Sequence, residues 1–237
     1  MHARLLDLSA RLLRRVRREP LVTFALLVVA GSLWVFLTVA GGVRAQQSHE
    51  LDSAILLAMR VPGDPAEPVG PARLKEAARD ITALGGITVL TCLTAAIAVL
   101  VLLLGKPRLA LLIVAAVLGG ALLSSSLKRG FDRPRPDLIS HQAEVMSESF
   151  PSGHSMMAAV VYLTLGLLLA RALPGRAVKV YLVSLSVLVA VCIGASRVYL
   201  GVHWPTDVVA GWVLGAAWAL LFWLIALRVD PRRGPAG

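Results

Sequence analysis

The sequence has no asparagine, so it offers no acceptor for N-linked glycans. Charge is scarce as well. Asp, Glu, Lys and Arg make up 16% of the 237 residues, where a soluble globular domain carries about a quarter. Cysteine is nearly missing. Cys92 and Cys192 lie far apart, each inside an apolar run, and read as small buried hydrophobes. That argues against a disulfide framework and against a cysteine-based metal motif. Aromatic residues are 5% of the chain, and no basic patch is interleaved with them. No nucleic-acid partner is therefore expected, despite a formal net charge of +10.

What remains is apolar. Hydrophobic residues make up 57% of the chain, and the mean hydropathy is +0.75. About 20 apolar residues are needed to cross a bilayer as a helix. Six stretches qualify, at roughly 21–41, 84–104, 108–127, 155–173, 180–198 and 208–227. The expected fold is all-α, a six-transmembrane-helix bundle. Its expected organisation is a basic cytoplasmic leader (1–20), a six-span membrane domain (21–228) and a cytoplasmic tail (229–237). Val43-Arg44-Ala45 resembles a signal-peptide cleavage site, but the leader and the apolar run are both long for one. The first helix is read as uncleaved.

Basic residues orient the spans. Arg4, Arg11, Arg14, Arg15, Arg17 and Arg18 fill the leader. Lys106 and Arg108 flank one turn, Arg171, Arg176 and Lys179 mark another, and Arg228, Arg232 and Arg233 mark the tail. With six spans all four segments share one side, which the positive-inside rule makes cytoplasmic. A multi-pass protein of the plasma (inner) membrane is expected, with both termini inside. The opposite loop, 42–83, balances its charges. Within it Leu51, Ile55, Leu56 and Met59 recur at helical spacing. They predict a short amphipathic helix, lying flat on the outer membrane surface or packed on the bundle as a lid.

Polar residues concentrate in two other outer segments. One reads Lys128-Arg129-Gly130-Phe131-Asp132-Arg133-Pro134-Arg135-Pro136 and, further on, Pro151-Ser152-Gly153-His154. The other holds Ser196-Arg197, then His203, then Asp207. Lys128, Arg135 and Arg197 stand on the side where basic residues are disfavoured, and charges at a membrane edge default to functional sites. Together they suit a phosphate group, which the planar arginine fork grips bidentately. The Pro-Ser-Gly-His segment opens a helix whose free N–H groups form an anion site. Ser152 can cap that helix, and Gly153 lets phosphate approach the backbone. Arg129 and Arg133 read as membrane anchors and receive no role.

These segments resemble the signature motifs of the type 2 phosphatidic acid phosphatase superfamily. That pattern is Lys, six residues, Arg-Pro; then Pro-Ser-Gly-His; then Ser-Arg, five residues, His, three residues, Asp. Every fixed position is matched in order, and the resemblance covers about residues 80–227. It implies metal-independent hydrolysis of a lipid phosphate or diphosphate at the outer face, with no cofactor. By the resemblance His203 attacks phosphorus and becomes a phosphohistidine, while Asp207 orients it. His154 protonates the leaving alkoxide and then activates water. Lys128, Arg135, Ser152, Gly153 and Arg197 hold the phosphate. Undecaprenyl diphosphate, phosphatidylglycerophosphate and phosphatidate are the candidate substrates, the polyprenyl carrier first. The expected partners are this lipid phosphate and the surrounding membrane lipids, and oligomeric state leaves no trace in the pattern. A phosphotransferase of the same superfamily is the alternative. A non-catalytic transporter or binding protein also fits six spans.

Smaller expectations complete the reading. Pro205 predicts a helix start that puts Asp207 in the first turn. Gly211 and Gly215 form a small-residue pair for helix packing. Asp132, Asp137, Glu144 and Glu148 match no two-metal carboxylate spacing, and no metal is expected. His2, His49 and His141 receive no role.

Overall fold

The computed structural model describes residues 20–137 and 148–229. The leader arginines, Arg232 and Arg233 of the tail, His2, His141 and Glu144 lie outside the described residues. Among the described residues the chain runs through eight helices and one hairpin. These are α1 (Pro20–Arg44), α2 (His49–Ala58), strands β1 (Arg60–Val61) and β2 (Asp64–Pro68), α3 (Ala72–Ala83) and α4 (Ile87–Leu103). Then come α5 (Pro107–Phe131), α6 (Gly153–Ala172), α7 (Arg176–Tyr199) and α8 (Pro205–Val229).

Five helices, α1 and α5 to α8, are long and apolar enough to cross a membrane. The count rises to six if α3 and α4, bent by 47° at a short break, together make one span. The chain is a multi-pass membrane protein. The apolar helix expected over roughly 84–104 is α4. α4 begins at Ile87, and Leu84-Gly85-Gly86 turn the chain out of α3. Gly85 is required there, because a Cβ on it would stand 2.5 Å from Ile193 Cγ2 and 3.4 Å from the His154 ring. Conversely, α5 and α7 continue past their polar ends to Phe131 and Tyr199, so Lys128 and Arg197 ride on last helical turns.

α8 is the central helix and packs against α1, α5, α6 and α7. Phe36, Ala40, Phe150, Met156, Ala210 and Leu214 fill the junction of α1, α6 and α8. The outer flanks are apolar too. Leu27, Trp34, Ile87, Leu103, Leu111 and Leu122 all stand exposed. Such continuous apolar flanks suit lipid, not water. Indole N–H groups join the helices: Trp212 donates to Ala190 O and Trp218 to Ala116 O, each at 2.8 Å. Gly211 and Gly215 pack as expected, turning α8 against the backbone of the first turns of α6.

The outer-loop helix takes the second of its two expected positions. α2 packs on the bundle, with Leu56 fully buried among Val198, Trp204 and Val208. Leu51 and Ile55 face outward. The β1–β2 hairpin that follows was not legible from periodicity, being only a few residues long and shaped by Pro62, Gly63 and Pro65.

Candidate active site

Four helix ends meet at one end of the bundle. α5 and α7 finish there with Lys128 and Arg197, and α6 and α8 begin there with Gly153 and Pro205. Helix C-termini favour cations and N-termini favour anions. The arrangement therefore surrounds an anion site with cations whose own helices stabilise them.

The start of α6 is capped as expected, Ser152 Oγ accepting from Ser155 N at 3.4 Å. Lys128 extends over this turn. A Cβ built on Gly153 would lie 3.6 Å from Lys128 Cε and 3.9 Å from its Nζ, and that Nζ donates to Glu148 O at 3.1 Å. Arg197 is buried and donates from Nη1 to Thr82 Oγ1 at 3.2 Å. Its Nε has no hydrogen-bond partner among the described residues. His154 packs beside Gly85, within electrostatic reach of Arg197, His203, Lys128 and Arg135.

α8 begins with Pro205 at its first position and Asp207 in its first turn, as expected. Asp207 Oδ2 reaches back to accept from Trp204 N at 3.0 Å, one half of a capping box. Ser152 N donates to Asp207 O at 3.0 Å, which ties the start of α6 to the start of α8.

His203 lies just before α8, almost fully buried. Its Nε2 is 3.2 Å from Arg135 Nη1, and its Nδ1 is 3.4 Å from Asp207 Oδ2 and 3.3 Å from Ser149 Oγ. An arginine can only donate, so Nε2 must accept and the neutral ring carries its proton on Nδ1, facing Asp207. This leaves the Nε2 lone pair pointing toward the cations. Arg135 is held in place by a second bond, from Nη1 to Val202 O at 2.8 Å. Burial lowers the Arg135 guanidinium from its ordinary value.

Burial also lowers His203, against the opposing pull of Asp207, to about 4. The ordinary value is 6.5. Between these the unfolded chain binds a proton that the folded chain refuses, so stability rises with pH across the interval. The contribution is complete above about 6.5 and is lost as the pH falls toward about 4. The melting temperature in detergent is expected to decline over that window, and His203→Gln to flatten the decline. A decline of equal size in the variant would assign it to other groups.

Three residues with no expected role join this site. Ser149 is fully buried and donates from its hydroxyl to Asp207 Oδ2. Arg133, read from the sequence as an anchor, bonds Asp207 Oδ1 and Asp52 Oδ2, each at 2.6 Å. Asp52, on α2, has no exposed surface. The signal for Arg133 was available, since it stands on the same disfavoured side as Lys128. Ser149 and Asp52 left no local signal. Arg129 stays exposed. Among the described residues, no group of three or more His, Cys, Asp or Glu side chains is arranged to hold a metal.

The model of one protein family, described as the PAP2 superfamily, matches residues 108–230. The chain belongs to the PAP2 superfamily. Among solved structures it is similar to the PAP2-type phosphatidylglycerolphosphate phosphatase of Bacillus subtilis. That likeness has a TM-score of 0.77 and 30% identity, over 86% of this chain and 98% of the other. Among curated relatives it is 44% identical over 109 residues to phosphatidylglycerophosphatase B of Bacillus subtilis, 44% of this chain and 50% of that one. It is 40% identical over 68 residues to undecaprenyl-diphosphatase of Sulfolobus acidocaldarius, 29% of each. It is 34% identical over 122 residues to lipid A 1-phosphatase of Rhizobium johnstonii, 47% of this chain and 46% of that one. The chain spans about half the length of the first of these curated relatives. Asp52 and the whole of α2 precede the residues matched to PAP2.

Proposed function

We propose that this PAP2 protein hydrolyses a lipid phosphate or diphosphate through a phosphohistidine on His203. The supporting observation is the environment of one ring. Nδ1 faces Asp207 while Nε2 faces Arg135, beside Lys128, Arg197 and the N-terminus of α6. Nε2 attacks phosphorus as the P–O bond to the lipid breaks. The ring becomes cationic, and Asp207 stabilises that charge. His154 gives the leaving oxygen a proton. In the second step His154 takes a proton from water, the water oxygen attacks phosphorus and the N–P bond breaks, which restores His203. The cations stabilise charge that grows on the phosphoryl oxygens. The positive-inside pattern supports a site on the outer face with both termini inside.

Relatives are named for phosphatidylglycerophosphate, undecaprenyl diphosphate and lipid A phosphate, which makes the lipid the open variable. The test is phosphate release by the purified protein in detergent with EDTA present. The panel is phosphatidylglycerophosphate, undecaprenyl diphosphate, phosphatidate and glucose 6-phosphate. Release from at least one lipid is expected, with a quenched intermediate whose phosphate is stable in alkali and labile in acid. Release that depends on added metal, or phosphate appearing only on a second lipid, would overturn the hydrolytic reading.

A further inference from the structure

Two acidic side chains with no exposed surface, Asp52 and Asp207, stand on either side of one arginine. Arg133 commits one nitrogen to each. Nη2 donates to Asp52 Oδ2 and Nη1 to Asp207 Oδ1. Nη1 also donates to Thr206 Oγ1 at 2.8 Å, and the guanidinium lies 5.5 Å from the Trp204 ring centre. The Trp204 indole N–H donates to Pro134 O at 2.9 Å, which clamps the segment that carries Arg133. Asp52 makes two more bonds, accepting from Thr206 N at 2.9 Å and Thr206 Oγ1 at 2.6 Å. Thr206 N belongs to the first turn of α8, where a helix leaves its donors unsatisfied. A carboxylate from α2 therefore caps the helix that carries Asp207.

We propose that Arg133 and Asp52 are positioning residues for the His203–Asp207 pair, with helix α2 setting the orientation and effective charge of Asp207. The inference rests on the reading of His203 as nucleophile.

The argument has a geometric part and an electrostatic part. Arg133 occupies Asp207 Oδ1, so the other oxygen, Oδ2, is the one presented to His203 Nδ1, Ser149 Oγ and Trp204 N. The carboxylate cannot rotate without breaking the Arg133 bond. Electrostatically, a lone arginine beside Asp207 would cancel the charge that the cationic ring of the intermediate needs. Asp52 takes one of the arginine's two ion pairs, so the triple carries a net negative charge. That surplus is available to His203 when its ring becomes cationic. Asp52 and Arg133 touch neither His203 nor, by this reading, the phosphoryl group. They act through Asp207 and through the first turn of α8.

The test uses the full chain in detergent with whichever lipid phosphate it hydrolyses, and reads kcat and KM per folded protein. Asp52→Asn keeps an acceptor for Thr206 N while removing the charge. It is expected to lower kcat about 10-fold with KM changed less than about 2-fold. Arg133→Gln is expected to lower kcat about 100-fold, and Arg133→Lys to recover roughly 10-fold of that. The double variant should be no slower than Arg133→Gln alone, because both residues act through one carboxylate. A purely structural role would change melting temperature and yield but leave kcat per folded molecule intact. Wild-type kcat in both Asp52→Asn and Arg133→Lys would overturn the proposal, as would additive losses in the double variant. If Arg133→Gln does not fold, Asp52→Asn and Arg133→Lys decide. His203→Ala in the same assay separates the two readings. An active His203→Ala sinks the phosphohistidine, whereas an inactive one beside unaffected Asp52→Asn and Arg133→Lys sinks only the positioning role.

Discussion

His203→Ala is expected to reduce phosphate release by at least about 10⁴-fold, since removing a covalent nucleophile forfeits the whole two-step route. The fold should survive the change. Asp207 keeps Arg133, Ser149 and Trp204 N as partners, so deleting the imidazole strands no buried charge. Arg135 likewise keeps Val202 O. The loss should therefore appear in kcat, with substrate still bound by the cations and the start of α6. The acid-labile phosphoenzyme should vanish in parallel. Initial rates and intermediate trapping on the same preparation check this. Residual turnover above about one part in a hundred would mean that another group attacks phosphorus, and His154 would become the first suspect.

Gly215→Val should cost about 3 kcal/mol or more and lower the melting temperature in detergent by roughly 10 °C. A Cβ at Gly215 would stand 2.5 Å from Met156 O and 2.7 Å from Ala159 Cβ, and one at Gly211 would stand 2.8 Å from Ser152 O. Two of these contacts are backbone atoms, which cannot rotate away. A valine must push α8 off α6, and that contact sets the distance from His203 and Asp207 to the first turn of α6. Activity should fall further than folded yield does. Thermal unfolding and specific activity, measured together, test the pair. A variant that melts within about 2 °C of the parent would show that the interface yields easily.

How much of this was legible differs by element. Crossing a bilayer demands a long apolar run, so the spans announced themselves. The small-residue pair in α8 did so too, because glycines four apart mark a close approach of helices. The bend before α4 did not. α3 reads Ala-Arg-Leu-Lys-Glu-Ala-Ala-Arg-Asp-Ile-Thr-Ala, polar enough to pass for loop, yet it is a helix that meets α4 at a 47° bend. The three site motifs were readable because the proposed chemistry needs cations, a helix start and a nucleophile at fixed places. The second layer was hidden by distance along the chain. Arg133 reaches residues 81 and 74 positions away, and Ser149 reaches one 58 positions away. No local periodicity encodes such a meeting. The Asp52 contact arises only once α2 settles on the bundle.

The up-and-down path of the bundle separates two tasks. Lys128, His154, Arg197 and His203 all sit where helices start or stop, at one end. The long flanks of α1, α4, α5 and α7 contribute none of these groups and present Leu, Val and Ala outward. On the proposed function, substitutions along the walls would change the hydrocarbon that lies alongside without disturbing the groups that act on the head group. A fold partitioned in this way lets the two tasks vary independently.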